Sequence, residues 1–503
     1  MSERAKKAKL NIVSVLGLEI VTIISGLVLP RLILSDFGSA TNGLVTSVNQ
    51  FITCVTLLRA GVGGVTRAAL YKPLDEGNIL AVSGIVRATT KFMRKLTIQY
   101  TVALFVFAAV YPFIVNEDFE WFYAFSMVLI LGLSTFFDCC FGISYQFLLQ
   151  ADQKRYVISI LQIFTVLANV IVAVFLIKTG ASIHIVKLGS SLVYSAKPLI
   201  LWYYVRKKYN LNWKAEPDNL AIKQRWDAFA HNLAAFVTGN TPVIVLTLFA
   251  DIKIVSVYSV YNMVLAPLRT LICSLTSGVE AAFGNMLVRN EEETLKKSFE
   301  SFLTIVSFGS AFIFTCVGFL ITPFVLVYTS GITDVQYSQG LFGIIMAIAQ
   351  FIYCIRLPYQ ILVDTSGQFK QTKSAAIVEA AVNLILSIVL VNIYGLMGIA
   401  IGFFVATLIR TLHFVFYSEK VFFKGCIKCF LKNLICCTIS TFATYLIVSV
   451  FSQIHIVDFM SWFLYAIEIG TVTIIVLFIS YLLFLRKDFM AIISQSINSL
   501  KKK

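Results

Sequence analysis

Charged residues are scarce in this sequence. Asp, Glu, Lys and Arg make up 13% of its 503 residues, whereas 58% are apolar. A water-soluble domain has about a quarter charged and about 45–50% apolar residues. Because so many apolar side chains cannot be buried in a soluble globule, the composition excludes a soluble enzyme, a secreted disulfide-linked domain and a disordered chain. Much of the protein surface must therefore contact lipid.

Motifs for catalysis and for metal binding are also missing. The sequence has no GxxxxGK[ST] phosphate-binding loop and no G-x-S-x-G motif, and its four histidines form no H-x-x-H pair. Cys426 and Cys429 have metal-like spacing, but no second ligand pair accompanies them. We therefore expect neither an enzyme nor a resident metal or cofactor, and transport coupled to H⁺ or Na⁺ stays open.

Long apolar segments are abundant instead. A helix of about 20 apolar residues crosses a bilayer, and the sequence contains fourteen such segments. The predicted fold class is an all-α, polytopic membrane protein with about 14 transmembrane helices. The predicted spans are 11–34, 42–70, 92–115, 121–149, 157–177, 183–205, 226–250, 256–288, 300–328, 340–363, 374–394, 396–417, 433–451 and 460–485.

The distribution of basic residues predicts the orientation. With a cytosolic N-terminus, 31 of the 41 Lys and Arg lie in the cytosolic loops and termini or, for Arg94 and Lys95, at the adjoining span end. At most three, Lys178, Lys187 and Lys253, lie in outer loops or at their edges. Cytosolic loops of membrane proteins are enriched in Lys and Arg, so both termini are predicted to be cytosolic and the first segment to be an uncleaved helix. Orientation then explains the net charge of +15, and nucleic acid is not an expected partner.

The sequence contains a weak internal repeat. Four features recur 212–215 residues apart: Pro30 with Pro242, Gln146 with Gln360, Asn169 with Asn383, and Gly180 with Gly395. Because the repeat holds six spans, its copies enter the membrane from the same side and are related by an axis along the membrane normal. The predicted domains are an N-terminal six-helix lobe at 1–210, a cytosolic linker at 211–225, a C-terminal six-helix lobe at 226–420, and two additional helices with a basic tail at 421–503.

Basic residues outnumber acidic ones inside the predicted spans. Ionisable groups are costly in a bilayer and usually face a cavity or a partner, and guanidinium binds phosphate oxygens bidentately. A cationic lumen with an anionic cargo is the functional interpretation, and ion pairing or snorkelling to the interface is the structural one. The candidate substrate-binding residues are Arg59, Arg269, Arg31, Arg356 and Arg410.

Intramembrane acids and prolines supply the remaining candidates. A buried carboxylate can take up a proton, which makes Glu280, Glu379 and Asp138 candidates for coupling, although buried acids also pair with arginine for stability alone. Arg269 and Glu280 are 11 residues apart, about three helical turns, so we expect them to share one face of the eighth span. Breaks near Pro30 and Pro242 fall at matching positions of the two lobes, where discontinuous helices point to a transport site.

Several segments resemble the polysaccharide transporters of the O-antigen flippase type. The segment LPRLILSDFGSATNGLVTSVNQFITCVTLLRAGVGGVTRAAL has the rhythm of that family, and so do PYQILVDTSGQFKQTKSAAIVEAAVNLIL and the GLMGIAIG string at 395–402. The resemblance implies export of a polyprenyl-pyrophosphate-linked oligosaccharide across the bacterial cytoplasmic membrane by alternating access. It implies lipid-linked oligosaccharide, membrane lipids and glycan assembly proteins as partners. It also places Arg59 and Arg269 at arginine positions of the related lipid II flippase.

Two other functions stay open. A drug or cation extruder of the related multidrug branch would have twelve core spans and an acidic lumen. A membrane glycosyltransferase or glycan polymerase would need a sizeable outer loop or an acidic sugar-nucleotide site. The fourteen predicted spans, the basic excess and the short loops favour the flippase over both.

Overall fold

The structure is a computed structural model of the 503-residue chain. The residues that it describes form α-helices and connecting turns, and no strand occurs among them. The described residues are 3–56, 60–218, 239–276, 279–289, 291–451, 454, 456–486 and 489–490.

Sixteen α-helices follow one another in the described part of the chain. They are α1 (Glu3–Thr56), α2 (Ala60–Asp75), α3 (Ile79–Val110), α4 (Trp121–Phe137), α5 (Ile143–Ala151), α6 (Arg155–Lys178), α7 (Ile183–Lys208), α8 (Gly239–Phe249), α9 (Ile252–Thr276), α10 (Glu280–Val288), α11 (Glu292–Tyr328), α12 (Gly340–Thr365), α13 (Phe369–Tyr394), α14 (Leu396–Val421), α15 (Cys426–Phe451) and α16 (Phe459–Phe484). A 3₁₀ turn, Tyr111–Phe113, ends α3, and a π-helical turn, Asp138–Gly142, joins α4 to α5.

Eleven helical segments of the described residues are long and apolar enough to cross a membrane. The prediction of an all-α, multi-pass membrane protein is confirmed. The predicted spans from 300 to 485 coincide with α11 to α16, and those from 92 to 205 coincide with α3 to α7. Large apolar side chains stay exposed on these helices, as Phe463 (55%) and Ile467 (51%) on α16 illustrate. Exposed apolar faces of this kind are suited to contact with the apolar tails of lipids.

The chain divides into two compact units, Met1–Val257 and Tyr258–Lys503. The predicted lobe boundaries at residues 210 and 226 stay a prediction. In the first unit, the aliphatic residues Leu70, Val86 and Leu148 form a core with Leu201 of α7. In the second unit, Ala311 of α11, Cys436 of α15 and Leu477 of α16 belong to a separate core.

The first unit contains a close helix crossing. A Cβ atom at Gly43 of α1 would overlap the carbonyl oxygen of Ile252, so only glycine permits this approach. Beside it, Asn42 donates a hydrogen bond to Ser256 Oγ (2.8 Å), and Thr247 donates one to Ser47 Oγ (2.8 Å). All four polar side chains are buried, and small or hydrogen-bonding residues are what hold helices together in a membrane.

The start of the predicted linker is fixed to the first unit. The Asn212 amide donates to Ser83 Oγ (2.9 Å), and the Asp218 amide donates to the Gly84 carbonyl (3.2 Å), so the chain runs along the first turns of α3. The guanidinium of Arg206 lies 4.3 Å from the ring centroid of Trp202 and 4.8 Å from that of Trp213. These contacts anchor residues 212–218 beside the first turns of α3.

Candidate functional site: a cationic cluster in the second unit

Glu379 of α13 is the centre of a buried group of charges. Its Oε1 accepts a hydrogen bond from Arg356 Nη1 at 2.7 Å, and its Oε2 lies 3.8 Å from Arg410 Nε. The residue is 8% exposed and Arg356 is 5% exposed. Three consecutive helices, α12, α13 and α14, therefore each contribute one charge to the group. The contact to Arg356 is a charge-assisted hydrogen bond, whereas the contact to Arg410 is looser.

The ring of Tyr353 extends the group to α9. It lies 4.5 Å from the guanidinium carbon of Arg356 and 5.3 Å from that of Arg269, measured to the ring centroid. Tyr353 precedes Arg356 by three residues on α12, so both project from one face of the helix. Cations within about 6 Å of an aromatic centroid are attracted to the ring. The same ring thus holds two guanidinium groups as neighbours.

Arg269 differs from the other two arginines. It is half-buried, and across the described chain no carboxylate oxygen lies within 4.0 Å of its guanidinium. Its contact is the Tyr353 ring. Arg269 is therefore the guanidinium of this group that no acid of the described residues neutralises.

Arg410 is held by its surroundings. Its Nη1 donates a hydrogen bond to the Thr372 carbonyl at 2.9 Å, and its guanidinium carbon lies 4.4 Å from the ring centroid of Phe414. The side chain is 11% exposed. The cation is therefore fixed on α13 by a backbone oxygen rather than by Glu379 alone.

We call Arg269, Arg356, Arg410, Glu379 and Tyr353 the cationic cluster. Its three guanidinium groups and one carboxylate give a formal charge of +2. Arg356 Nε is buried and has no hydrogen-bond partner among the described residues. A buried donor without an acceptor is costly, so the cluster has both the charge and an open donor for an oxyanion.

The other predicted site residues lie elsewhere or outside the described residues. Arg59 falls on residues that the structure does not describe. In the first unit, Arg31 is half-buried on α1, and Asp138 accepts a hydrogen bond from Gln146 Nε2 at 2.7 Å. Glu280 is exposed at the first residue of α10. The structure thus brings together Arg269, Arg356, Arg410 and Glu379 from the predicted set.

The expectation that Arg269 and Glu280 share one helix face does not hold. The predicted span 256–288 comprises two helices, because α9 ends at Thr276 and α10 begins at Glu280. The argument from helical spacing needs one continuous helix. The sequence TSG before Val279 consists of small or polar residues that favour a helix end.

The expected break near Pro30 lies elsewhere. Helix α1 continues through Pro30, and its backbone is non-helical at Gly38 (φ 79°, ψ 175°). A positive φ is easy for glycine alone, whereas a membrane helix tolerates proline when neighbouring groups satisfy the freed carbonyl. Pro242 lies in α8, and the residues 219–238 that precede this helix are outside the described range.

Sequence reasoning missed Tyr353 and the backbone acceptor at Thr372. The tyrosine could have been found, because an aromatic residue three positions before a buried arginine shares its helix face. The acceptor could not, because a carbonyl that binds a side chain 38 residues away leaves no trace in the sequence.

A second polar group lies at the loop between α5 and α6. The Asp152 carboxylate contacts the Lys154 ammonium and accepts a hydrogen bond from the Tyr209 hydroxyl, and Lys7 lies 3.9 Å away. Burial and the bond to Asp152 raise the pKa of Tyr209, so this phenol stays protonated and remains a donor. This group ties the N-terminus to the end of α7, and no transport chemistry follows from it.

No protein-family model matches the sequence, and no curated protein sequence matches it. Solved structures do. A structure titled lipid II flippase MurJ in the inward closed conformation superimposes with a TM-score of 0.72 at 17% identity, covering 95% of this chain and 99% of that chain. A multidrug resistance MATE family transporter of the MOP superfamily, inward-facing, gives 0.67 at 12% identity, covering 79% and 94%. The eukaryotic MATE transporter AtDTX14 gives 0.55 at 11% identity, covering 85% and 99%.

The superpositions show a similar fold, and sequence identities of 11–17% limit the comparison to the fold. The superposition covers nearly the full length of each of the three structures, namely 99%, 94% and 99%. Together with the eleven apolar helices of the described residues, it makes this chain a multi-pass membrane protein with the fold of the lipid II flippase and MATE transporter structures.

Proposed function

We propose that the protein is a flippase that moves a polyprenyl-pyrophosphate-linked oligosaccharide across the bacterial cytoplasmic membrane by alternating access. The substrate would be a repeat unit of O-antigen, capsule or exopolysaccharide, and the proposal places the protein among the O-antigen flippases. The termini are cytosolic in this proposal, which rests there on the basic residues of the even-numbered loops. No enzymatic step is part of it.

The observation that carries the proposal is the charge of the cationic cluster. A pyrophosphate diester carries one negative charge on each phosphate, and the cluster has a formal charge of +2. Moving phosphate and sugar through hydrocarbon would leave their polar groups without partners, at several kcal/mol for each group. Guanidinium groups that bind the phosphates bidentately replace the lost water.

The extent of the structural match favours a flippase over a drug extruder. The lipid II flippase structure covers 95% of this chain, whereas the inward-facing MATE structure covers 79%. A cluster with a cationic surplus also suits an anionic substrate better than the cationic drugs that the alternative requires. The likeness to MATE structures keeps the extruder as the second candidate.

Arg269 is the residue whose loss tests the proposal most directly. We expect Arg269→Ala to lower surface glycan about 10–100-fold, because hydrogen bonds to a charged group contribute about 1.5–3 kcal/mol. Lipid-linked repeat units should accumulate in the same cells. The measurement is surface glycan and lipid-linked intermediate in a strain that needs this gene, at equal protein levels.

Arg289→Ala is the matched control. The Arg289 side chain is 75% exposed on the loop after α10, so its loss should leave export unchanged. The double variant Arg59→Ala with Arg269→Ala should export no glycan. Wild-type surface glycan in that double variant would contradict the proposed roles, and resistance to cationic drugs conferred on a sensitive host would support the extruder instead.

Coupling and partners complete the proposal. Glu379, Asp138 and Glu280 are the candidates for H⁺ or Na⁺ coupling, and glycan assembly proteins are expected to receive the exported unit. Glu379 has the strongest support, because it is buried between two guanidinium groups. The two-lobe organisation at 1–210 and 226–420 remains part of this proposal.

A further inference from the structure

Glu379 occupies the positions where a substrate oxyanion would bind. Its two oxygens face Arg356 at 2.7 Å and Arg410 at 3.8 Å. The carboxylate therefore neutralises part of the cluster in the structure, whereas Arg269 has no acid partner among the described residues. Two of the three guanidinium groups proposed to bind the substrate are thus already engaged.

The pairing of Glu379 with Arg356 and Arg410 leaves some of the guanidinium donors free of the carboxylate. Arg356 uses Nη1 for Glu379, but its Nε is buried without an acceptor. Arg410 lies beyond hydrogen-bond distance of the carboxylate and donates instead to the Thr372 carbonyl. A saturated structural ion pair would satisfy these donors. A carboxylate bonded to one arginine and loosely placed at the other is easier to displace.

We propose that Glu379 is a built-in counter-anion that the substrate phosphate displaces from Arg356 and Arg410. In the empty site it keeps two buried guanidinium groups from standing unpaired, which would be strongly destabilising. A bound pyrophosphate then takes the Arg356 Nε donor and competes for the same cations, with Arg269 as the point of entry. The inference rests on the proposed function, since it names the residue that regulates access to the proposed substrate site.

The counter-anion role predicts that removing the charge of Glu379 tightens anion binding. The experiment uses the purified full-length protein in detergent, with inorganic pyrophosphate as the probe at constant ionic strength. Binding is measured from the rise in melting temperature with pyrophosphate concentration. We expect the Kd of Glu379→Gln to be at least tenfold lower than that of the wild type, although the variant itself melts at a lower temperature without ligand.

Matched variants separate this role from general effects. Glu293→Gln removes an exposed carboxylate in the first turn of α11, away from the cationic cluster, and should leave the Kd unchanged. In Arg356→Gln with Glu379→Gln, the gain should disappear because the competing cation is gone. Glu379→Asp shortens the carboxylate and should lower the Kd about threefold, which provides the test if Glu379→Gln does not fold.

Three results would overturn the inference. They are an unchanged or weaker affinity in both Glu379 variants, an equal gain in Glu293→Gln, and a gain that persists without Arg356. A purely structural Glu379 gives the first of these results together with a lower melting temperature. The proposed function fails by a different observation, namely normal glycan export by Arg269→Ala, which leaves the pyrophosphate measurement valid.

Discussion

At the residue scale, Tyr353 links the two arginines that matter most. Arg356 is engaged by Glu379, Arg269 is not, and the same ring contacts both. A ring attracts a cation through its π face, so the contact to both arginines depends on the aromatic ring. The ring keeps two like charges adjacent in a membrane protein, where each alone would be costly.

The aromatic ring can therefore be tested apart from its hydroxyl. We expect Tyr353→Leu to weaken pyrophosphate binding about 3–30-fold, since cation–π contacts contribute about 0.5–2 kcal/mol. Tyr353→Phe retains the ring and should bind like the wild type. Titration with pyrophosphate, followed by melting temperature, measures both. Equal affinities for the Leu and Phe variants would show that the ring does not position the arginines.

The residue types of the site could be predicted from the sequence, and their partners could not. Arg269, Arg356, Arg410 and Glu379 stand out because ionisable groups are rare in apolar spans. Pairing of Glu379 with Arg356 and Arg410 depends on how α12, α13 and α14 pack, and sequence separations of 23 and 31 residues carry no such information. The sequence therefore left ion pairing and lining of a lumen open as alternatives.

At the element scale, α13 and α14 pack as closely as helices can. A Cβ atom at Gly398 would lie 2.7 Å from the Val391 backbone nitrogen, and one at Gly402 would lie 3.0 Å from the Ser387 nitrogen. Real Cβ atoms do not approach backbone within 3.0 Å, so glycine is required at Gly398, whereas a side chain at Gly402 would make Ser387 shift by a few tenths of an ångström. This packing sets the position of Glu379 on α13 relative to Arg410 on α14.

Gly398→Ala should separate the two helices. We expect a loss of about 1–3 kcal/mol of stability, because backbone atoms cannot move aside as a flexible side chain could. Gly470→Ala on α16 is the control, since its Cβ would meet no heavy atom within 4 Å. Thermal unfolding in detergent measures both. Equal melting temperatures for the two variants would mean that the α13–α14 crossing relaxes freely.

Element existence was easier to predict than element ends. Apolar length identified the spans, because a bilayer imposes that length on every crossing helix. Small local features decided the rest, namely the positive φ of Gly38 and the separation of α9 from α10. A hydropathy average over about 20 residues does not resolve such features. The helix break was therefore predicted near Pro30, whereas it lies at Gly38.

At the scale of the whole molecule, the charges of the loops predict the orientation. Residues 329–339, between α11 and α12, contain no Lys or Arg, and neither do residues 452–458, between α15 and α16. Lys420, Lys424 and Lys428 surround the turn from α14 to α15 instead. Because the positive charges near span ends determine which loops stay cytosolic, we predict that the two kinds of turn lie on opposite sides of the membrane.

Reporter fusions test this orientation without reference to transport. A phosphatase that folds only outside the cytosol should be active when fused after Asp334 and inactive when fused after Lys424, and a fluorescent protein that folds only inside should give the reverse. Activity of one reporter at both positions would mean that both lie on the same side, so that α12, α13 and α14 do not all cross the membrane. An inverted pattern would place the turns with Lys outside, and the proposed entry of a lipid-linked substrate from the cytosol would then be wrong.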